Sequence, residues 1–153
     1  MRMLFTIFIP DMSSIEKKQL DITHLKNAVA ALQSCINDYN EYAAKGNSLR
    51  ESLRSGVIQN FEIAYELSWK YMKRWLAFNA GNSIVDGIPR FELFKLSAEN
   101  ALISNPEIWF DFHDARNKTS HEYGEEVAEV VLEYALKFLP YAKEFLEVLE
   151  KKI

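Results

Sequence analysis

The residues that most often break regular structure, five glycines and four prolines, either gather between residues 81 and 106 or stand alone. Such scarcity favours long uninterrupted helices over many strands and turns. The apolar pattern agrees. Leu25, Ala28, Val29, Leu32, Ile36 and Tyr39 recur at spacings of three and four and predict a first helix over 13–44. Ile58, Phe61, Tyr65, Ser68, Met72 and Trp75 form one stripe of a second helix over 49–79, which Val57, Ala64, Tyr71 and Phe78 widen. Gln59, Glu62, Glu66, Lys70 and Lys73 form the opposite stripe, which reads as a solvated face. Ser48 with Glu51 has the form of a capping box for this helix.

Residues 80–89 are rich in turn formers. Pro89 suits the first turn of a third, short helix over 89–102 that carries Phe91, Phe94, Leu96 and Ala98. Asn105 is placed as N-cap and Pro106 as first helical residue of a fourth helix running to about Tyr123, with Gly124 as its stop. A rival reading ends that helix earlier and restarts it at Thr119, because Thr119 and Glu122 also have capping-box spacing. The last helix covers 125–152, with Val127, Val130, Val131, Tyr134, Phe138, Phe145 and Leu149 as its apolar stripe and a kink expected at Pro140. The expected fold is all-α, an antiparallel bundle of about five helices.

The length of 153 residues suits one domain, and 48% apolar residues supply a substantial core. Residues 13–153 are read as that domain. Residues 1–12 are read as a short tail, or as a misassigned start with translation beginning at Met12. The apolar run Met3–Ile9 is too short to span a bilayer, and Pro10-Asp11 stands where a signal peptide would have small residues. The single cysteine, Cys35, forms no intrachain disulfide and fits a reducing, cytoplasmic compartment. It reads as a packed side chain rather than a reactive thiol. A net charge of −4 with interspersed signs argues against a uniformly basic nucleic-acid binder and leaves room for a local basic or polar pocket.

The densest polar constellation is Asp111–Tyr123, which holds two of the three histidines. Taken as a helix, it sorts into three sectors. Ile108, Phe112, Ala115 and Thr119 look like core, and Asp111, Asp114, Lys118 and Glu122 look solvated. His113, Arg116, Asn117, Ser120, His121 and, at the margin, Tyr123 share the third sector with Phe110. This sector suits either a groove or subunit interface, or a buried polar seam. The ligand types Asp111, His113, Asp114 and His121 lack helical metal-site spacing, because Asn117 stands between the histidines, so no metal is expected. No cofactor is expected either, and the absence of a glycine-rich phosphate loop argues that the chain is not itself a nucleotidyltransferase.

An arginine beside a histidine suits chemistry on a phosphodiester. Arginine binds phosphate bidentately and stabilises charge on the phosphoryl oxygens. Histidine serves as general base on a ribose 2′-OH or as general acid toward the leaving oxygen near neutral pH. A site of this kind cuts RNA without a metal and spares DNA. Tyr123 is placed to stack on a base or to be modified.

Arg116-Asn-Lys-Thr-Ser-His121-Glu-Tyr123 resembles the R-x4-H-x-Y form of the HEPN motif (higher eukaryotes and prokaryotes nucleotide-binding). The helix Gln59–Lys70, the segment Ile88-Pro-Arg-Phe-Glu92 and Trp109 resemble one branch, the nucleotidyltransferase substrate-binding proteins, over roughly residues 20–150. The resemblance implies an antiparallel helical bundle, commonly a homodimer, encoded beside a minimal nucleotidyltransferase and bound to it. Many HEPN proteins are metal-independent endoribonucleases and toxins, and in related pairs the nucleotidyltransferase transfers AMP onto the motif tyrosine. Those roles fall by position on Arg116 and His121 (catalytic) and Tyr123 (modification or substrate contact), with His113, Asn117 and Ser120 in support.

Three functions compete. The first is an RNA-cleaving toxin neutralised by its partner. The second is a non-catalytic subunit that binds a nucleotide or another substrate for the nucleotidyltransferase. The third is an interaction module with a purely structural polar seam.

Overall fold

A computed structural model describes residues 20–120 and 124–153. Among these residues six α-helices follow one another without a strand: α1 (Thr23–Tyr42), α2 (Asn47–Ala80), α3 (Asn82–Val85), α4 (Arg90–Glu99), α5 (Pro106–Lys118) and α6 (Glu125–Lys152). Five are multi-turn helices and α3 is a single turn, so the expected all-α bundle of about five helices is what forms. A 3₁₀ turn, Ala43–Lys45, returns α1 into α2. The 34-residue α2 is the spine, packing on α1, α6, α4 and α5.

The predicted stripe of α2 is the buried one. Val57, Ile58, Phe61, Ala64, Tyr65, Ser68, Tyr71, Met72 and Trp75 all face the interior, whereas Phe78 is exposed. Aromatic rings fill the centre. Phe138 of α6 stands edge-on to Phe61 (5.2 Å between centroids), Trp109 (5.4 Å) and Phe112 (5.1 Å), the geometry that ring quadrupoles prefer. Trp109 and Trp75 therefore belong to the core, and Trp69 is half-buried at its margin. On α6, Val130 is exposed and the small residues Ala128, Ala135 and Ala142 are buried instead. Pro140 lies within a continuous α6, where the Leu136 carbonyl has no i+4 N–H to accept.

Four local expectations are corrected. The first helix was expected from residue 13. Leu20–Ile22 are not helical, because the Asp21 carboxylate accepts the Thr23 backbone N–H at 2.9 Å and sets the helix start there. The Ser48–Glu51 capping box does not form. Helix α2 begins two residues earlier, after an extended Gly46, and Ser48 is already inside the first turn. Pro89 is the extended residue before α4 rather than part of its first turn, with its carbonyl accepting from Leu93 N–H at 2.9 Å.

The fourth correction concerns α5, which ends at Lys118 and not near Tyr123. The Thr119 and Ser120 N–H groups turn back to the Arg116 and Asn117 carbonyls, and the Thr119 hydroxyl donates to Arg116 O at 2.7 Å. Gly124 is the N-cap of α6 rather than the stop of α5. The early end matches the rival reading. Its restart at Thr119 rests on Glu122, which lies outside the described residues, as do residues 1–19 with the tail assigned to them.

No helix among the described residues is long and apolar enough to cross a membrane.

Candidate functional site

Helix α5 begins where the sequence places it. Asn105 Oδ1 accepts the Glu107 and Ile108 N–H groups at 3.0 and 3.4 Å, and Pro106 takes the first helical position. That start fixes the phase of everything after it. Trp109, Phe112 and Ala115 turn inward. Asp111, Asp114 and Lys118 are exposed, while His113 and Arg116 lie half-buried against α2.

His113 is held at both nitrogens. Nδ1 lies 2.7 Å from the Tyr65 hydroxyl and Nε2 lies 3.2 Å from Asn117 Nδ2. A neutral ring carrying its proton on Nδ1 satisfies both bonds: Nδ1–H donates to the Tyr65 oxygen and the Asn117 amide donates to Nε2. Burial, followed by the nearby Arg90 charge, holds the His113 pKa below its ordinary value. Tyr65 is fully buried, and burial raises its phenol well above the ordinary range, so it stays protonated. Arg90 Nη1 lies 3.5 Å from the same hydroxyl. The Arg90 guanidinium itself stacks on the Trp69 ring, 3.4 Å from its centroid.

Arg116 sits between two carboxylates of α2. Its Nη1 is 3.4 Å from Glu62 Oε2, and its Nε is 3.6 Å from Glu66 Oε1. Nη1 also donates to Thr119 Oγ1 at 3.3 Å, within the turn that ends α5. Nε is buried, and the Glu66 oxygen is beyond hydrogen-bond reach of it, so that pair is held by charge alone. The Arg116 side chain is about a quarter exposed and forms the wall of an open groove of about 360 Å³ with Gln59, Glu62, Ile63, Glu66 and Leu67. Glu66 Oε2 also accepts the Trp69 indole N–H at 3.1 Å.

The structure thus brings His113, Arg116 and Asn117 onto one face of α5, as expected. It moves Ser120 off the helix into the following turn, where its hydroxyl donates to the Asn117 carbonyl. The helical-sector argument therefore does not extend to Ser120, because α5 has ended before it. His121 and Tyr123 lie outside the described residues.

Two corrections concern α2. Glu62 and Glu66 are not a merely solvated face, since both turn to Arg116. The solvated reading of that stripe, which the i, i+4 spacing of Glu66 and Lys70 would support with an ion pair, finds no such pair between them. Tyr65, Trp69 and Arg90 were not singled out for the site. Their signal lay in the quoted segments Gln59–Lys70 and Ile88–Glu92, which carried the family resemblance without roles attached. Among the described residues no group of three or more His, Cys, Asp or Glu side chains converges. Cys35 is half-buried, accepts from Asn60 Nδ2 at 3.2 Å, and has its thiol pKa pushed up by burial.

Comparison with known proteins places this arrangement. The family described as nucleotidyltransferase substrate binding protein like matches residues 20–151. A Haemophilus influenzae protein named probable ribonuclease HepT is 34% identical over 118 residues, which are 76% of this chain and 81% of that relative. A solved Haemophilus influenzae structure, described as revealing the fold of a substrate binding domain of a nucleotidyltransferase, superimposes with a TM-score of 0.79 at 29% identity. It covers 85% of this chain and 99% of that one. With a matching family across nearly the whole described region and the same helical fold, the chain belongs to the nucleotidyltransferase substrate-binding-protein family, the HEPN branch that its motif resembles.

Proposed function

We propose that this protein is the HEPN-type partner of a minimal nucleotidyltransferase and acts as a toxin-like, metal-independent endoribonuclease. The observation that supports this reading best is the setting of Arg116. Its guanidinium is partly exposed on the wall of an open groove, at the end of a helix whose preceding turn carries His113. The relative named probable ribonuclease HepT supports the same class of activity.

In this reading Arg116 binds the scissile phosphate and stabilises charge on its non-bridging oxygens. A ribose 2′-OH attacks the adjacent phosphorus, and the P–O5′ bond breaks. The products are a 2′,3′-cyclic phosphate and a 5′-OH. His121 takes the 2′ proton or supplies one to the leaving oxygen. Tyr123 contacts the substrate or receives AMP from the partner. His113 and Asn117 support Arg116 from the same helix, and Ser120 supports the turn that follows.

The pairs between Arg116 and Glu62 and Glu66 do not forbid phosphate binding. Their side chains are 25%, 26% and 34% exposed, and pairs of that kind contribute at most about 1 kcal/mol each. A bidentate charge-assisted bond to phosphate is stronger.

The same two carboxylates favour a second reading. A guanidinium already flanked by two negative charges also fits a non-catalytic subunit that binds a substrate through hydrogen bonds rather than through net positive charge. The neighbour described as a substrate binding domain of a nucleotidyltransferase is in keeping with it.

The deciding experiment incubates the purified protein with total and synthetic RNA in the presence of a chelator, beside Arg116→Ala and His121→Ala. Cleavage leaving 2′,3′-cyclic phosphate ends, lost in both variants, is the expected result. No cleavage across varied RNAs by a folded protein sinks the ribonuclease reading and leaves the substrate-binding one.

A further inference from the structure

We propose that the groove of about 340 Å³ adjoining the Arg116 groove along α2, lined by Trp69, Lys70, Lys73, Arg74 and Asp86 among others, is a docking track for the phosphate backbone of single-stranded RNA. The proposal deepens the ribonuclease reading and names how that site would hold its substrate strand.

Position is the first argument. Lys70, Lys73, Arg74 and Ala77 follow a three–four–seven spacing and share one helix face, continuing the face that carries Glu62, Glu66 and Trp69. Lys70 and Lys73 lie one and two turns beyond Glu66, about 6 and 10 Å along the axis. The two grooves meet where Glu66, on one, accepts the Trp69 indole N–H of the other. A strand with one phosphate at Arg116 can therefore run along a single helix past Trp69.

Charge is the second. Lys70, Lys73, Arg74 and Arg90 have no carboxylate within ion-pair distance among the described residues, and the first three sit together on one face of α2. In a chain of net charge −4 this is a concentration of unneutralised positive charge, faced in the groove only by Asp86. An aromatic ring among unpaired cations along a groove is the arrangement that holds single strands without reading their sequence. Trp69 lines the groove beside the cations, and the Arg90 guanidinium stacked on its ring adds a further positive charge there.

The test uses the full chain and a fluorescent 2′-O-methyl RNA oligonucleotide, which lacks the internal nucleophile and cannot be cleaved. Binding is followed by anisotropy over a range of salt concentrations. Each neutralised phosphate contributes about −0.7 to the slope of log K against log salt for single strands. The triple variant K70Q/K73Q/R74Q should lose about two from that slope and bind at least tenfold more weakly at low salt, at unchanged melting temperature. Asp86→Asn should shift affinity the other way, tightening binding, which general destabilisation does not produce. An unchanged slope in the triple variant overturns the proposal, and so does a wild-type chain that fails to bind the oligonucleotide. Cleavage of RNA by that same chain would then leave the ribonuclease reading standing. Conversely, binding with the expected slopes but no cleavage of ordinary RNA supports the track while the ribonuclease reading falls.

Discussion

At the residue scale, His113 shows how one side chain couples the site to the core. Its ring bridges the buried Tyr65 hydroxyl and the exposed Asn117 amide, and with the amide NH₂ turned to Nε2 the neutral ring serves both. A second proton would put an N–H against the Asn117 NH₂ and a positive charge beside that of Arg90. Burial and Arg90 accordingly hold its pKa below the ordinary 6.5. The sign of the linkage follows. Above pH 6.5 the ring is neutral folded and unfolded, and it adds no pH dependence. Below that value the unfolded chain takes up a proton that the folded chain refuses, so stability falls until the lowered folded pKa is reached. The slope in that window is at most about 1.4 kcal/mol per pH unit. Urea unfolding across this range should show the loss in the wild type and a shallower loss in His113→Gln. Equal slopes in the two proteins would mean that His113 titrates as freely as in the unfolded chain.

At the scale of elements, the junction between α5 and α6 depends on an arginine that the sequence pattern does not flag. Arg54 of α2 is buried and donates to both Glu125 oxygens and to Glu129, each at 2.8 Å, while Arg50 reaches Glu129 as well. Glu125 is the first residue of α6, so Arg54 pins the helix that follows the motif segment. Removing a buried member of a pair usually costs 3–5 kcal/mol; here the orphaned carboxylates are partly exposed and can rehydrate, so Arg54→Met should cost about 2 kcal/mol. The pH signature is separate from that of His113. Hydrogen bonds from Arg54 lower the Glu125 pKa below 4.5. For Glu129 burial acts to raise the pKa, and the bonds from Arg54 and Arg50 outweigh it. This stability is present above pH 4.5 and is lost as pH falls through the lowered values. Thermal melts should show an acid limb in the wild type that is reduced in Arg54→Met; a variant with the full acid limb would assign it elsewhere. The elements also show which sequence signals are reliable. Asn105-Pro106 sets α5 because the Asn105 side chain accepts the Glu107 and Ile108 N–H groups and Pro106 brings no N–H of its own to satisfy. Ser48–Glu51 has the right spacing and fails, because Gly46 lets α2 start two residues sooner.

For the whole molecule, the bundle was legible because its stripes are long and its breakers few, and because the α2 stripe is buried almost as written. The site was legible on one helix only. The α5 sectors follow from helical phase, but what faces them is tertiary: Glu62 and Glu66, Tyr65, and Arg90 reach α5 from two other helices, and no spacing within the chain encodes that. The aromatic core explains why these helices hold such a register. Phe138 is fully buried, and its ring meets Phe61 and Tyr65 of α2 and Trp109 and Phe112 of α5. Those α5 rings lie on the inward face of the helix, next to the flank from which His113 and Arg116 meet α2, and Tyr65 bonds His113 directly. One ring on α6 therefore fixes the spacing of the helices that build the site. Phe138→Ala should cost about 3–5 kcal/mol, a large share of the total stability of a domain this size, on the order of 5–15 kcal/mol. If the bundle unfolds as one unit, hydrogen exchange in the variant should quicken together in α2, α5 and α6 by a common factor. Faster exchange confined to α6, with α2 and α5 as protected as in the wild type, would show that the site helices keep their register without Phe138.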